Sequence, residues 1–186
     1  AEEAIRKRGK FSLALSGGST PKDFFSYLSR NEHFMYWEAT HIFSVDERHT
    51  AHSDRESNAH LISDSLLSGI SIPSRNIHFV PFVDTVHESA RLYEHDIRTF
   101  FAHEKARFDF IFLGIGIDGH TASLFPGEDY INDDDSLVIP VDKYFKGYQR
   151  ISLTLDFINQ ARNILFCVTG GEKADIVRRV ATFSDV

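Results

Sequence analysis

The chain has 186 residues, and its 20 Lys and Arg against 27 Asp and Glu give a formal net charge of −7. This length fits one domain, and a hydrophobic content of 42% is enough for one large core. The acidic balance argues against nucleic acid or an anionic membrane surface as a partner, because both require a basic face. The single cysteine, Cys167, excludes an internal disulfide, and its apolar neighbours predict a buried, unreactive thiol.

The chain reads as one domain over residues 1–186, since no repeat, low-complexity linker or break in composition divides it. No apolar stretch reaches the roughly 18 residues of a membrane span, and no signal-peptide pattern opens the sequence. We therefore expect a cytoplasmic protein.

Short apolar runs alternate with amphipathic segments, which predicts an α/β domain with a mostly parallel sheet and helices on both faces, a modified Rossmann-like arrangement. Several runs are apolar throughout, as in strands that are covered on both faces. The predicted strands are Phe11–Leu15, His41–Val45, Ile77–Val80, Phe108–Leu113, Leu137–Val141, Ile151–Leu155 and Ile164–Thr169.

Three helices have clear start signals or periodicity. Thr20 is predicted to cap a helix that has Pro21 at its first position. A second helix is predicted over about 56–67, after a capping-box spacing that begins at Ser53. A third is predicted over about 85–104, where apolar residues recur at steps of four and three.

Ligands of open α/β sheets bind beyond the carboxyl ends of the strands, so the residues after each strand are the candidate site. Gly17, Gly18, Ser19 and Thr20 follow the first strand and open a helix. Glycines that allow close backbone approach, hydroxyls and a helix N-terminus together suit a phosphate, although an ordinary glycine turn is the alternative. The loop lacks the spacing of a Walker A motif.

Charged residues follow the second strand, in the triplet Asp46-Glu47-Arg48. Arg48 can grip a phosphate with two parallel hydrogen bonds while the carboxylates fix its position, and a surface ion pair is the alternative. Arg150 opens a later strand, and Lys173 is predicted in the first turn of a helix. A cation is disfavoured there unless an anion is also present, which mildly favours a ligand-binding role for Lys173.

A glycine-rich loop follows the strand that ends at Leu113. Gly114, Gly116 and Gly119 fit the dinucleotide-binding spacing, but Pro126 and Gly127 end any following helix too soon for a Rossmann crossover. The loop instead presents a titratable His120, with Asp118 placed to orient it or the substrate, and His120 is the candidate general base. His49 and His52 have a spacing seen in metal sites, but no third ligand accompanies them, so no metal site is predicted.

Together the three loops resemble the signatures of the 6-phosphogluconolactonase family, part of the glucosamine-6-phosphate isomerase/6-phosphogluconolactonase superfamily. The His120 loop is the most specific part, and the resemblance covers nearly the whole chain. The segments that carry it are Ser16–Pro21, Asp46–Arg48, Asn58, Gly114–Pro126, Arg150–Thr154 and Thr169–Ala174. Family members usually extend further at both ends, so the resemblance implies a chain truncated at both ends.

The resemblance implies a hydrolase of carbohydrate metabolism that converts 6-phosphoglucono-δ-lactone to 6-phosphogluconate in the oxidative pentose phosphate pathway. It implies no metal or organic cofactor and a small phosphosugar as the partner. His120 would activate water, amides of the glycine-rich loop around Gly116 and Gly119 would stabilise the oxyanion, and Asp46 would support the site. The phosphate would be held by the first glycine loop with Arg48, Arg150 and Lys173.

Two alternatives remain open. A deaminase or isomerase of the same superfamily would need a base for C2, a role that Asp46 can fill. The deaminases usually have Asp-Glu-Tyr at the triplet and a different sequence after the histidine, and both differences favour the lactonase. A sugar-phosphate sensor without catalytic activity is the other alternative, and the presence of His120 counts against it.

Overall fold

A computed structural model describes residues 1–31, 33, 35–102, 104–132 and 135–182. None of the helices in this part of the chain combines the length and the hydropathy of a transmembrane segment. The helices are α1 (Glu2–Arg8), α2 (Ser19–Arg30), α3 (Asn58–Ser65), α4 (Val86–Phe100), α5 (Leu155–Asn159) and α6 (Ala174–Ala181). Single 3-10 turns occupy Trp37–Ala39, Leu67–Gly69, Ser74–Asn76, Asp129–Asn132 and Gly171–Lys173.

Two sheets organise the described chain. The strands are β1 (Phe11–Leu15), β2 (Thr40–Ser44), β3 (Asp46–Arg48), β4 (Ile77–His78), β5 (Phe110–Leu113), β6 (Val138–Phe145), β7 (Tyr148–Leu153) and β8 (Ile164–Phe166). A parallel sheet has the order β4-β2-β1-β5-β8, and an antiparallel sheet has the order β3-β7-β6. The predicted α/β class with a mostly parallel sheet is confirmed. Two of the predicted strands, β6 and β7, lie in the smaller antiparallel sheet. The third strand of that sheet, β3, was not predicted, and it follows the carboxyl end of β2 directly.

Successive residues of the central strands enter two different cores, one on each face of the parallel sheet. In β1, Leu13 and Leu15 belong to the core that α2 and α3 cover, whereas Ala14 belongs to the core that α4 covers. Ile42 and Phe43 of β2 divide in the same way. This burial on both faces explains why the strands read as continuous apolar runs.

Two predicted helix starts and the predicted burial of Cys167 were wrong. Helix α2 begins at Ser19 with Gly18 as its N-cap, because the positive φ of Gly18 (109°) turns the chain before Thr20 is reached. Helix α3 is capped by Ser57, whose hydroxyl accepts from the amide of His60. Cys167 is half-buried against the α2–α3 core, since it follows β8, a strand at the edge of the sheet.

Candidate functional site

The carboxyl ends of β1, β2 and β5 lie side by side, and the loops that follow them surround one cavity of about 390 Å³. Backbone hydrogen bonds hold these ends together, from Ser16 N to Phe112 O (3.1 Å) and from Val45 N to Leu15 O (3.0 Å). The predicted site residues that line the cavity are Gly17, Gly18, Thr20, Asp46, Arg48, Gly116, His120, Arg150 and Lys173. The loops after these strand ends therefore border one cavity, and the assignment of this cavity as the functional site stays a prediction.

The first glycine loop is packed against α3 rather than standing free. A Cβ on Gly17 would lie 1.8 Å from Oδ1 of Asn58, so only glycine fits there. The amide of Asn58 donates in turn to the backbone oxygen of Asp46 (2.8 Å) and to its Oδ1 (3.2 Å). Thr20 does not cap a helix, and its hydroxyl lies 3.0 Å from that of Thr169. The side chain of Ser19 lies outside the described part of the structure.

The carboxylates of the charged triplet have structural partners. Glu47 is buried at the start of α3, where it accepts from the amides of Asn58 and Ala59 (both 2.7 Å). Burial raises the pKa of Glu47, and these backbone donors partly oppose that rise. Asp46 is also buried, and its Oδ2 accepts from the hydroxyl of Ser123 (2.6 Å). The expected pairing of these carboxylates with the Arg48 guanidinium is not seen, and Glu47 instead accepts from the Arg48 amide (2.8 Å).

Two arginines face each other across the antiparallel sheet, where Arg48 of β3 pairs in register with Arg150 of β7. Arg150 is 7% exposed, and burial is the main cause that lowers its pKa. In each residue the buried Nε has no hydrogen-bond partner, and within the described ranges no carboxylate forms an ion pair with either guanidinium. Two adjacent cations with unused donors favour an anion bound between them.

The His120 loop is a tight turn held by its own backbone. Gly116 N donates to His120 O (2.8 Å), and Gly119 N donates to Gly116 O (3.1 Å) with Gly119 at a positive φ of 93°. Both amides are thus used inside the loop, so the oxyanion role predicted for the amides of this loop stays a prediction for its other residues. The side chain of His120 is one-third exposed, and its ring lies 4.7 Å from that of Phe125.

Asp118 contacts His120, while its orienting role stays a prediction. Its Oδ1 lies 2.5 Å from His120 Nδ1 and also accepts from the His120 amide (3.3 Å). Burial alone would raise the pKa of Asp118, but the hydrogen bonds and charge of His120 lower it overall. Unlike His120, Asp118 and Gly119 are not among the residues that line the cavity. Asp118 can therefore orient His120 without touching a ligand.

Sequence reasoning missed Lys146, which lines the cavity from the turn between β6 and β7. The weak signal was a Lys-Gly pair between two apolar runs, which reads as a solvated hairpin turn. Among the described residues, no group of three or more His, Cys, Asp or Glu side chains is arranged to hold a metal ion.

An open parallel sheet with a cationic cavity and a histidine at its carboxyl edge is typical of the α/β proteins that bind small anionic ligands at that edge. Residues 1–185 match the family described as glucosamine-6-phosphate isomerases/6-phosphogluconolactonase, and the chain belongs to that family.

Individual relatives and a solved structure agree with this assignment. The chain is 36% identical over 183 residues to a 6-phosphogluconolactonase of Nostoc sp., a match that covers 96% of this chain and 75% of that protein. It is 38% identical over 175 residues to a 6-phosphogluconolactonase of Synechocystis sp., covering 92% of this chain and 71% of the relative. The crystal structure of a Thermotoga maritima 6-phosphogluconolactonase superposes with a TM-score of 0.87 at 30% identity, covering 98% of this chain and 80% of that one.

Proposed function

We propose that this protein hydrolyses 6-phosphoglucono-δ-lactone to 6-phosphogluconate. The observation that carries the proposal is that one cavity is lined both by His120 and by the Arg48–Arg150 pair. Hydrolysis of a phosphorylated lactone requires a base near the carbonyl, to activate water, and cations near the phosphate, to bind it. The two relatives named above are 6-phosphogluconolactonases. The pentose phosphate pathway would place the enzyme in the cytoplasm, which stays a prediction.

In this proposal, His120 activates the water that attacks the lactone carbonyl. An Nδ1–H donated to Asp118 leaves the lone pair on Nε2 to take a proton from water. The water oxygen bonds to the carbonyl carbon, the bond from that carbon to the ring oxygen breaks, and His120 returns the proton to the departing oxygen. Because the pKa of Asp118 is lowered, its carboxylate stays charged and stabilises the imidazolium that forms between the two steps.

At the other end of the substrate, Arg48 and Arg150 bind the phosphate, joined by Lys173 and by Thr20 of the glycine loop. The free Nε donors of the two arginines supply hydrogen bonds that no protein group accepts. Since these contacts are remote from the carbonyl, they hold the bound lactone in one orientation, with its carbonyl toward His120.

The deaminase or isomerase alternative requires Asp46 as a carbon base. In this structure both oxygens of Asp46 are engaged, Oδ1 with Asn58 and Oδ2 with Ser123. Because both oxygens already accept hydrogen bonds from these two residues, neither is free to take a proton from carbon, and this arrangement favours a supporting role for Asp46. Ammonia release from glucosamine 6-phosphate would be the sign of the alternative reaction.

The test is hydrolysis of freshly generated 6-phosphoglucono-δ-lactone, measured against its spontaneous rate. We expect His120→Ala to lower the catalysed rate by roughly 100- to 10,000-fold, which is the range for loss of a general base. The matched control is His87→Ala, because His87 is an exposed histidine that pairs with Asp142 and does not line the cavity. A loss below about threefold in His120→Ala would remove His120 from the base role. Phosphosugar binding without any acceleration by the unmutated protein would favour a sensor.

A further inference from the structure

The turn between β6 and β7 has an unusual residue for its backbone conformation. Lys146 and Gly147 join the paired residues Phe145 and Tyr148, and both have positive φ, 54° and 86°. Two-residue hairpin turns of this kind favour Asn, Asp and Gly, because other side chains crowd the backbone there. A lysine is therefore an uncommon residue at such a position.

The hairpin turn is fixed against the candidate catalytic loop. The ring of Phe145 stacks on Phe125 with centroids 3.6 Å apart and planes 7° apart, and Phe125 contacts His120. The backbone oxygen of Phe145 accepts from Nη2 of Arg150 (3.3 Å). Phe145 thus contacts both Arg150 and the His120 loop, and Lys146 follows it directly in the chain.

The charges around Lys146 are unbalanced. Arg48, Arg150 and Lys173 line the same cavity, and the only carboxylate in its described wall, Asp46, is already hydrogen-bonded to Ser123 and Asn58. In the part of the chain that the structure describes, no carboxylate forms an ion pair with Lys146. Cations brought together in this way repel one another until a multivalent anion occupies the cavity.

We propose that Lys146 is a specificity residue that binds the phosphate monoester of the substrate, so that the enzyme selects phosphorylated over unphosphorylated lactones. This inference rests on the proposed lactonase function and extends its phosphate site to the hairpin turn. Lys146 lines the cavity from this turn, and the Phe145–Phe125 stack fixes the turn beside the His120 loop.

The test uses Lys146→Asn, which removes the charge but keeps a residue that tolerates positive φ. Lys143→Gln is the matched control, because Lys143 lies on the same hairpin, pairs with Glu128 and does not line the cavity. We expect Lys146→Asn to raise KM for 6-phosphoglucono-δ-lactone by about tenfold or more, the scale of a lost charged hydrogen bond, with little change in kcat. Hydrolysis of unphosphorylated glucono-δ-lactone should be unchanged, Lys146→Arg should restore KM, and Lys143→Gln should leave both substrates unaffected.

An unchanged KM in Lys146→Asn, or an equal loss on both substrates, would overturn the assignment, since the second result indicates a structural role only. Binding of 6-phosphogluconate and of inorganic phosphate to the same variants is measured by calorimetry. If the unmutated protein hydrolyses no lactone, the proposed function fails, and this binding still decides whether Lys146 recognises a phosphate.

Discussion

At the scale of single residues, the glycines of the site are fixed by what they touch. Only glycine fits at position 17, because a Cβ there would overlap the side chain of Asn58. Only glycine fits at position 116 for the same reason, because a Cβ there would overlap His120 and Asp118. A glycine after a buried strand is a signal that sequence reasoning reads well, so both loops were predicted. Asn58 was noticed only through a family resemblance, because nothing local shows that it packs under a loop far earlier in the chain.

Lys146 was missed for a related reason. Its proposed role depends on a hairpin that brings its turn to the same cavity as the strand ends of the other sheet, and this placement leaves no periodic signal in the sequence. Arg150 was found because it opens an apolar strand, but its partnership with Arg48 follows from strand register, which a single sequence does not specify.

The contact of Gly116 with the His120–Asp118 pair leads to a direct prediction. In Gly116→Ala the new Cβ would lie 2.2 Å from His120 Nδ1 and 2.5 Å from Asp118 Oδ1, so the pair must move. We expect kcat for the lactone to fall by about 10- to 100-fold, because small displacements of a catalytic group are costly. The affinity for 6-phosphogluconate should stay within about twofold, since the arginines are untouched. Steady-state kinetics and calorimetry measure the two effects.

Gly171→Ala is the matched control for this substitution, because nothing lies within 4 Å of a Cβ there and Gly171 does not line the cavity. A Gly116→Ala protein with unchanged kcat would show that the loop relaxes without moving His120.

At the scale of elements, strands were easier to predict than their ends. The central strands bury both faces and so read as continuous apolar runs, and all seven predicted strands exist. The polar strand β3 could not be predicted, because its three residues pair only with β7, which comes much later in the chain. The predicted start of α2 was wrong because Gly18, which has a positive φ, is the N-cap in place of Thr20.

One contact between elements links stability to pH. Nδ1 of His41 in β2 lies 3.1 Å from Nε2 of His78 in β4. Nδ1 of His78 lies in turn 2.8 Å from Oδ2 of Asp96 in α4. Burial first, and then the charges of His78, Lys10 and Arg75, lower the pKa of His41 from 6.5 to about 4, against a weaker opposite effect of Asp96. The unfolded chain therefore binds a proton on His41 near pH 6.5, whereas the folded protein does so only near pH 4.

Because the unfolded state takes up this proton first, stability should fall as the pH drops from 6.5 toward 4. Because His41 is only half-buried, solvent screens its charge, and we expect a loss of about 1 kcal/mol between pH 7 and pH 5, less than the full shift would give. His41→Gln should lack this part of the pH dependence, as measured by urea unfolding at both pH values. His87→Gln, which changes an exposed histidine, should retain it. Equal pH dependence in His41→Gln and the unmutated protein would contradict the assignment.

At the scale of the whole molecule, the two ends of the parallel sheet differ in their use of charge. The carboxyl ends collect Arg48, Lys146, Arg150 and Lys173 around one cavity, in a protein of net charge −7. Such a local cationic site attracts an anion although the overall charge repels it. The net charge alone could not predict this separation, which arises only when the strand ends and the hairpin turn come together.

At the amino ends of the same strands, charged side chains form partly buried ion pairs that stabilise the fold. Asp109, which is 5% exposed just before β5, forms ion pairs with Arg8 at the end of α1 and with Arg162 before β8 (3.2 Å). Its Oδ2 also accepts from the amide (3.0 Å) and the hydroxyl (3.1 Å) of Ser12 in β1. One buried carboxylate thus joins four segments at the end of the sheet opposite to the candidate active site.

This separation predicts that stability and activity can be changed independently. Asp109→Ala leaves two cations and the Ser12 amide without their acceptor, so we expect a loss of about 2–4 kcal/mol of unfolding free energy. Asp175→Ala removes an exposed ion pair with Arg178 and should cost less than about 1 kcal/mol. In both variants the folded fraction should hydrolyse the lactone with kcat within about twofold of the unmutated protein, because neither residue lines the cavity. Urea unfolding and kinetics at low temperature measure the two quantities, and a fall in kcat of Asp109→Ala without a loss of stability would show that the two ends of the sheet are coupled.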